Sequence, residues 1–224
     1  MKRHLILIAA WLLANVFLAI IGAQEWRERP LLTLDQQQMF ERAVEKAQRC
    51  GVKPEKTVLQ DGKEKVVPIE ESEAKFARKL EVKVLFKRWR FELRLGVDSE
   101  TPEKKPLMAV LFEPWLDEGR QLKAEQGQSE NTNNVLNRLR GVVLLDRETE
   151  SIVRIDGNLS DNVWLKKGGI PGVNLLKVGF SYVQTKQGGE WIPDHLNANA
   201  EIWSPRLLVM PEKREYKLPF SCGM

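Results

Sequence analysis

The chain has 224 residues, 42% hydrophobic and 29% charged, with 35 basic against 31 acidic side chains and a formal charge of +4, half of it from Lys2 and Arg3. The two signs alternate along the remainder, so the clustered basic footprint that nucleic-acid binding needs is missing and that class is excluded. Two isolated cysteines, with no Cys-x-x-Cys pair, exclude the common zinc and haem patterns, and neither a metal nor a cofactor is expected.

Lys2, Arg3 and His4 form a basic start, residues 5–21 are apolar except for Asn15, and Gly22-Ala23 precedes the polar Gln24-Glu25. This pattern predicts an export signal over residues 1–23, cut after Ala23, and a periplasmic mature protein. The apolar run also meets the lower limit for a membrane span, so an uncleaved inner-membrane anchor is the alternative. No cysteine follows the run, which excludes a lipidated N-terminus. Residues 24–224 are expected to fold as a single domain.

Thr33 or Asp35 is placed to cap an amphipathic helix running to about Arg49, with Met39, Phe40, Ala43, Val44 and Ala47 on one face and Gly51 closing it. A strand is expected over residues 65–69 and a second helix over 70–79, acidic in its first turn and basic in its last. Leu80, Val82, Val84 and Phe86 then alternate on even positions, and Trp89, Phe91, Leu93 and Leu95 on odd ones. This predicts two strand segments joined by a bulge near Lys87-Arg88. Arg88, Arg90 and Arg94 fall on the opposite, solvent face. Further strands are expected over 107–114, 141–146, 151–160, 174–186, 190–203 and 207–210, linked by short turns as an antiparallel meander. Residues 117–134 are almost without apolar side chains and read as a polar flexible loop, followed by a short helix over 135–140 that Gly141 stops. The fold class is therefore mainly β with short helices (α+β).

The stretches "FKRWRFELRL", "VLFEPW", "VLNRLRGVVLLDRETESIVRIDGNLSDNV" and "LLKVGFSYVQTKQGGEWIPDHLNANAEI" resemble a group of uncharacterised secreted bacterial proteins. That group is similar in pattern to the outer-membrane lipoprotein carrier and sorting (LolA-like) family. The resemblance spans residues 79–201. It implies a curved antiparallel sheet forming an incomplete half-barrel, with helices over a greasy concave side that binds acyl chains. It also implies a loop that carries Trp164, Lys166, Lys167, Gly168 and Gly169.

The chemistry-bearing residues are few. His195 and Asp194 are neighbours in a strand, where alternation points them to opposite faces and forbids a dyad. Asp146, at a strand-to-turn junction, is expected to hold turn amides, and Asp156 to form cross-strand pairs. No nucleophile elbow, zinc-protease motif or phosphate loop is present, so no catalysis is expected. Cys50 and Cys222 either bridge, as an oxidising compartment permits, or remain free, since the sequence gives no distance.

The expected function is binding of a lipid or lipoprotein acyl chain on a hydrophobic face made of Trp89, Phe91, Leu93, Val178, Phe180, Tyr182, Leu196, Ala198 and Ala200, with Leu95, Leu176 and Ile202 beside them. The rival is an envelope sensor or scaffold with a self-filled concavity and a protein partner, and a weaker one is an envelope hydrolase.

Overall fold

A computed structural model describes residues 28–60, 63–86, 91–100, 106–114, 130–167, 170–203 and 212–222. The signal or anchor segment, Trp89, the Lys87-Arg88 bulge, the strand expected over 207–210 and most of the polar loop lie outside them. Among the described residues no helix is long and apolar enough to cross a membrane.

Helix α1 (Leu34–Lys46) begins with a capping box: the Gln36 amide donates to Thr33 Oγ1 at 3.4 Å, and the Thr33 amide to Gln36 Oε1 at 2.9 Å. It buries Phe40 and Ala43. It stops three residues short of Arg49, and Gly51 is not its cap, because Gly51 and Val52 (β1) pair with Ser221 and Phe220. A charged hairpin follows, β2 (Glu55–Gln60) and β3 (Lys63–Pro68). In α2 (Glu71–Lys79) the first-turn Glu73 takes an ion pair from Lys56, which is buried beneath it.

The segment read as an even-numbered strand is instead a single helical turn, α3 (Val82–Leu85). Leu85 decides the matter: alternation puts it in solvent, yet it is fully buried with Val82 and Phe86, the i, i+3, i+4 set of a helix. Strand β4 (Phe91–Leu95) keeps the expected odd positions inward. Arg94 corrects the solvent-face expectation. The N-terminal segment crosses this edge through the Leu95 amide to Pro30 O, and Arg94 is enclosed with Glu92, Glu113 and the Arg29 carbonyl.

After β5 (Ser99–Glu100) come β6 (Pro106–Pro114), helix α4 (Glu130–Leu136), β7 (Leu139–Asp146), β8 (Ser151–Leu159), β9 (Val163–Lys167), β10 (Ile170–Gln187), β11 (Glu190–Trp203) and β12 (Glu212–Ser221). Helix α4 lies earlier than expected and takes in residues 130–134 of the anticipated loop, because docking of Val135 and Leu136 into the core draws the preceding turn into register. Gly141 sits inside β7, not at a helix end. The Trp164–Lys167 stretch, expected as a loop, is strand β9 paired to the start of β10.

The strands make one antiparallel sheet of eleven strands that does not close, with β1 added along the end of β12. The order is β3-β2-β12-β11-β10-β8-β7-β6-β4, with β5 on β6 and β9 on β10. The last strand thus joins the N-terminal hairpin to the meander. Between β10 and β11, Gly188 and Gly189 take positive φ values of 59° and 93°, as a two-residue hairpin turn requires.

The core lies between the helices and one face of the sheet. Phe40 of α1 meets Phe86 edge-on at 5.1 Å, and Phe86 meets Phe91 and Phe112 at 5.8 and 5.4 Å. A register row crosses the sheet through Phe112, Gly141, Gly157, Phe180, Ala198 and Tyr216. The rings of Phe112 and Phe180 occupy the space that side chains at Gly141 and Gly157 would need.

Candidate functional site

The residues expected to hold an acyl chain do share one face. Phe91, Val178, Phe180, Tyr182, Leu196 and Ala198 are buried there, with Leu93 and Ala200 packed partly buried against them. The same cluster contains Phe40, Ala43, Leu80, Leu85 and Phe86 from the helical layer, so the molecule fills this face itself. Tyr182 is 1% exposed and Leu196 fully buried. Burial pushes the Tyr182 hydroxyl above the ordinary phenol range, with the nearby Glu81 carboxylate adding to the effect.

An open groove of about 650 Å³ lies on the opposite face of the same strands. It is lined by outward positions of β8, β10, β11, β12 and β2, namely Asp156 and Asn158, Gly179 and Ser181, Asn197 and Asn199, Glu215 and Lys217, and Thr57 and Leu59, and it is bordered also by Gly157, Phe180, Ala198 and Tyr216 of the inward register row. Two facts of local structure make the groove. Alternation sends every second residue of these strands away from the core. Gly179 then leaves a gap at its centre into which the Asn199 amide folds, and a Cβ on Gly179 would lie 2.6 Å from Asn199 Oδ1. On the floor, Ser181 Oγ is shielded from solvent and has no hydrogen-bond partner among the described residues. Leu59 and Val66, at 50% and 63% exposure, add apolar surface where the β2–β3 hairpin forms the rim.

His195 and Asp194 overturn the expectation that they point apart. Val183 faces His195 and Gln184 faces Pro193, which leaves Asp194 as the extra residue of a β-bulge. The bulge cancels alternation, and His195 Nδ1 lies 2.6 Å from Asp194 Oδ2. The pair lies outside the groove, and Asp194 stays half exposed. Among the described residues no group of three or more His, Cys, Asp or Glu side chains is arranged to hold a metal ion.

Asp146 accepts from the Glu148 and Thr149 amides at 2.9 and 3.3 Å, and its second oxygen accepts from the Trp191 indole at 3.1 Å. Burial alone raises its pKa, but the Trp191 and backbone hydrogen bonds outweigh burial and hold the carboxyl below its ordinary value. Asp156 pairs within its own strand, with Arg154 Nε at 2.8 Å, not across strands as expected; the two residues are neighbours on one face. Cys50 and Cys222 are bonded, 172 residues apart in sequence, tying the exit of α1 to the end of β12.

Sequence reasoning missed the groove because it assigned the polar alternate positions to solvent. The available signal was three asparagines, Asn158, Asn197 and Asn199, at outward positions of strands that pair through Gly179. Comparison with family models, curated proteins and solved structures returns no match.

Proposed function

We propose that the protein is an exported, non-catalytic envelope scaffold that takes an extended polar partner in the groove, while its apolar face serves as an internal core. One observation carries this reading: the open volume lies on the polar face, whereas the apolar face is occupied by the protein's own helices. A partner of this kind is oriented by the few polar groups that converge in a concavity, and an acyl chain would leave those amides and carboxylates without partners. The resemblance to lipoprotein carriers supports the envelope setting and a half-barrel shape by analogy of fold.

The acyl-carrier reading is the second. It is favoured by the small side chains of Ala198 and Ala200 on the apolar face and by the same resemblance.

Amide chemical shifts of the full, disulfide-bonded chain separate the two. Soluble cell-wall fragments, sugar-peptide mixtures released by digestion, are expected to shift Asn158, Ser181, Asn197 and Asn199. A fluorescent palmitoyl probe is expected to leave Val178, Tyr182 and Leu196 unmoved. Stoichiometric binding of the palmitoyl probe with shifts at those core residues overturns the scaffold reading in favour of the carrier.

A further inference from the structure

On the outward face of β11, Asn197 and Asn199 are followed at the same two-residue spacing by Glu201 and Trp203. Trp203 pairs across the sheet with Asn174 of β10, and Asn174 pairs on its other side with Trp164 of β9. Two tryptophans from separate strands therefore flank one asparagine. Their rings meet at 5.8 Å between centroids, inclined by 71°. Trp164 is 41% exposed, although a ring of this size ordinarily contributes most when it is covered. Asn174 is only 6% exposed, and its Oδ1 has no hydrogen-bond partner among the described residues. A buried polar atom left without a partner is uncommon and calls for one.

These features lie beyond the lining of the groove, on the same face of β10 and β11, and specify the chemistry of what binds. The charges near the aromatic pair are engaged within the protein: Lys177 with Glu201 at 3.6 Å, and farther along the groove Arg154 with Asp156. Both signs line the groove itself, Glu64 and Glu215 beside Lys217, so the described residues present no single-signed patch to select an ion. Asn158, Asn197 and Asn199 each offer an amide donor and an amide acceptor, and Ser181 and Thr57 offer hydroxyls. An indole face packs against the apolar C–H face of a sugar ring. A ligand with ring faces, hydroxyls and amides, and without net charge, is an acetamido-sugar chain.

We infer that the groove binds a chain of N-acetylated sugars, one ring of which stacks on the Trp164–Trp203 pair while a sugar hydroxyl donates to Asn174 Oδ1. Trp164, the more exposed of the two rings, turns aside to admit that hydroxyl, since the indoles cover the amide in the free protein. This inference rests on the groove reading above.

The test uses the β-1,4-linked hexamer of N-acetylglucosamine with the full, disulfide-bonded chain. Binding is read by calorimetry and by the indole N–H signals of Trp164 and Trp203. Both signals are expected to move on titration. Trp164→Ala is expected to bind about tenfold more weakly at an unchanged melting temperature, with Trp164→Phe restoring most of the loss. Asn174→Leu, which removes the buried acceptor, is expected to weaken binding by a similar factor without loss of stability. If Trp164→Ala does not fold, the indole signals of the parent protein decide. Hexamer binding that leaves both indoles unmoved, or no hexamer binding at all, overturns the inference. Cell-wall peptide fragments that shift Asn197 and Asn199 while the hexamer does nothing would leave the groove reading standing. Silence of the groove towards every polar probe would bring down both.

Discussion

The two faces of β8, β10, β11 and β12 are built from the same strands in the same register, and they do opposite things. Inward, Ile155, Tyr182, Leu196 and Leu218 are at most 1% exposed and meet the helical layer. Outward, one residue away in each strand, Asp156, Ser181, Asn197 and Lys217 line open space. The greasy face is used up in folding, and the polar face keeps the volume available to a partner. Hydrophobicity in this sheet marks where the molecule is closed. The contrast at Leu196 and Asn197, adjacent in sequence, is the sharpest case.

Breaking the disulfide should give the largest effect. Cys50 is 6% exposed within the core and Cys222 packs against it. Replacing both by Ala frees a very long loop and should cost up to about 5 kcal/mol in chemical denaturation. Hydrogen exchange should rise first in α1, next to the bond; uniform exchange across the sheet would show that the bond does not anchor the helical face.

Leu196→Ala should cost about 3 kcal/mol, since it empties a fully buried site. Asn197→Ala should change stability by less than about 0.5 kcal/mol. Equal costs in urea titrations would erase the distinction between the faces.

Ala198→Trp tests whether the apolar face has room. Packed against Phe180 and Tyr216 across the sheet, the new indole should overpack and cost about 1–3 kcal/mol. Unchanged stability together with lost palmitoyl binding would mean that the face is a ligand cavity after all.

The smallest effect concerns pH. Asp146 is held below its ordinary value, so the unfolded chain takes up its proton at a higher pH than the folded one. Its contribution is then complete above the unfolded pKa of about 4 and is lost as pH falls through the folded value. The gap in melting temperature between the parent and Asp146→Asn should therefore be widest near neutrality and narrow below about pH 4. A gap that does not change with pH would remove the carboxylate from the account.

Much of this architecture was legible from the chain. Period-two alternation placed β11 at its observed limits and β8 and β10 close to theirs, because a strand with one buried face must alternate, while continuous apolar runs placed β6, which is buried on both faces, and β7. Thr33 and the apolar stripe behind it gave α1. Strand β2 is hard to read from the chain because the charges of Glu55, Lys56 and Lys63 mask a hairpin that the Asp61-Gly62 dipeptide signals. Tyr216, Leu218 and Phe220 of β12 alternate as clearly as any other strand here, but the more apolar residues 207–210 beside them carry the stronger strand signal.

In β8, β10 and β11 the sequence by itself determined which residues face the core and which do not, since burial of apolar surface follows a period set by backbone geometry. Only the tertiary structure decided what covers each face. Helix or strand at residues 82–85 turned on whether Leu85 had neighbours to bury it. The contact of His195 with Asp194 turned on one unpaired residue opposite Val183 and Gln184. The pairing of Cys50 with Cys222, and the meeting of Trp164 and Trp203 over Asn174, depend on strand order, which brings together residues that no local pattern relates.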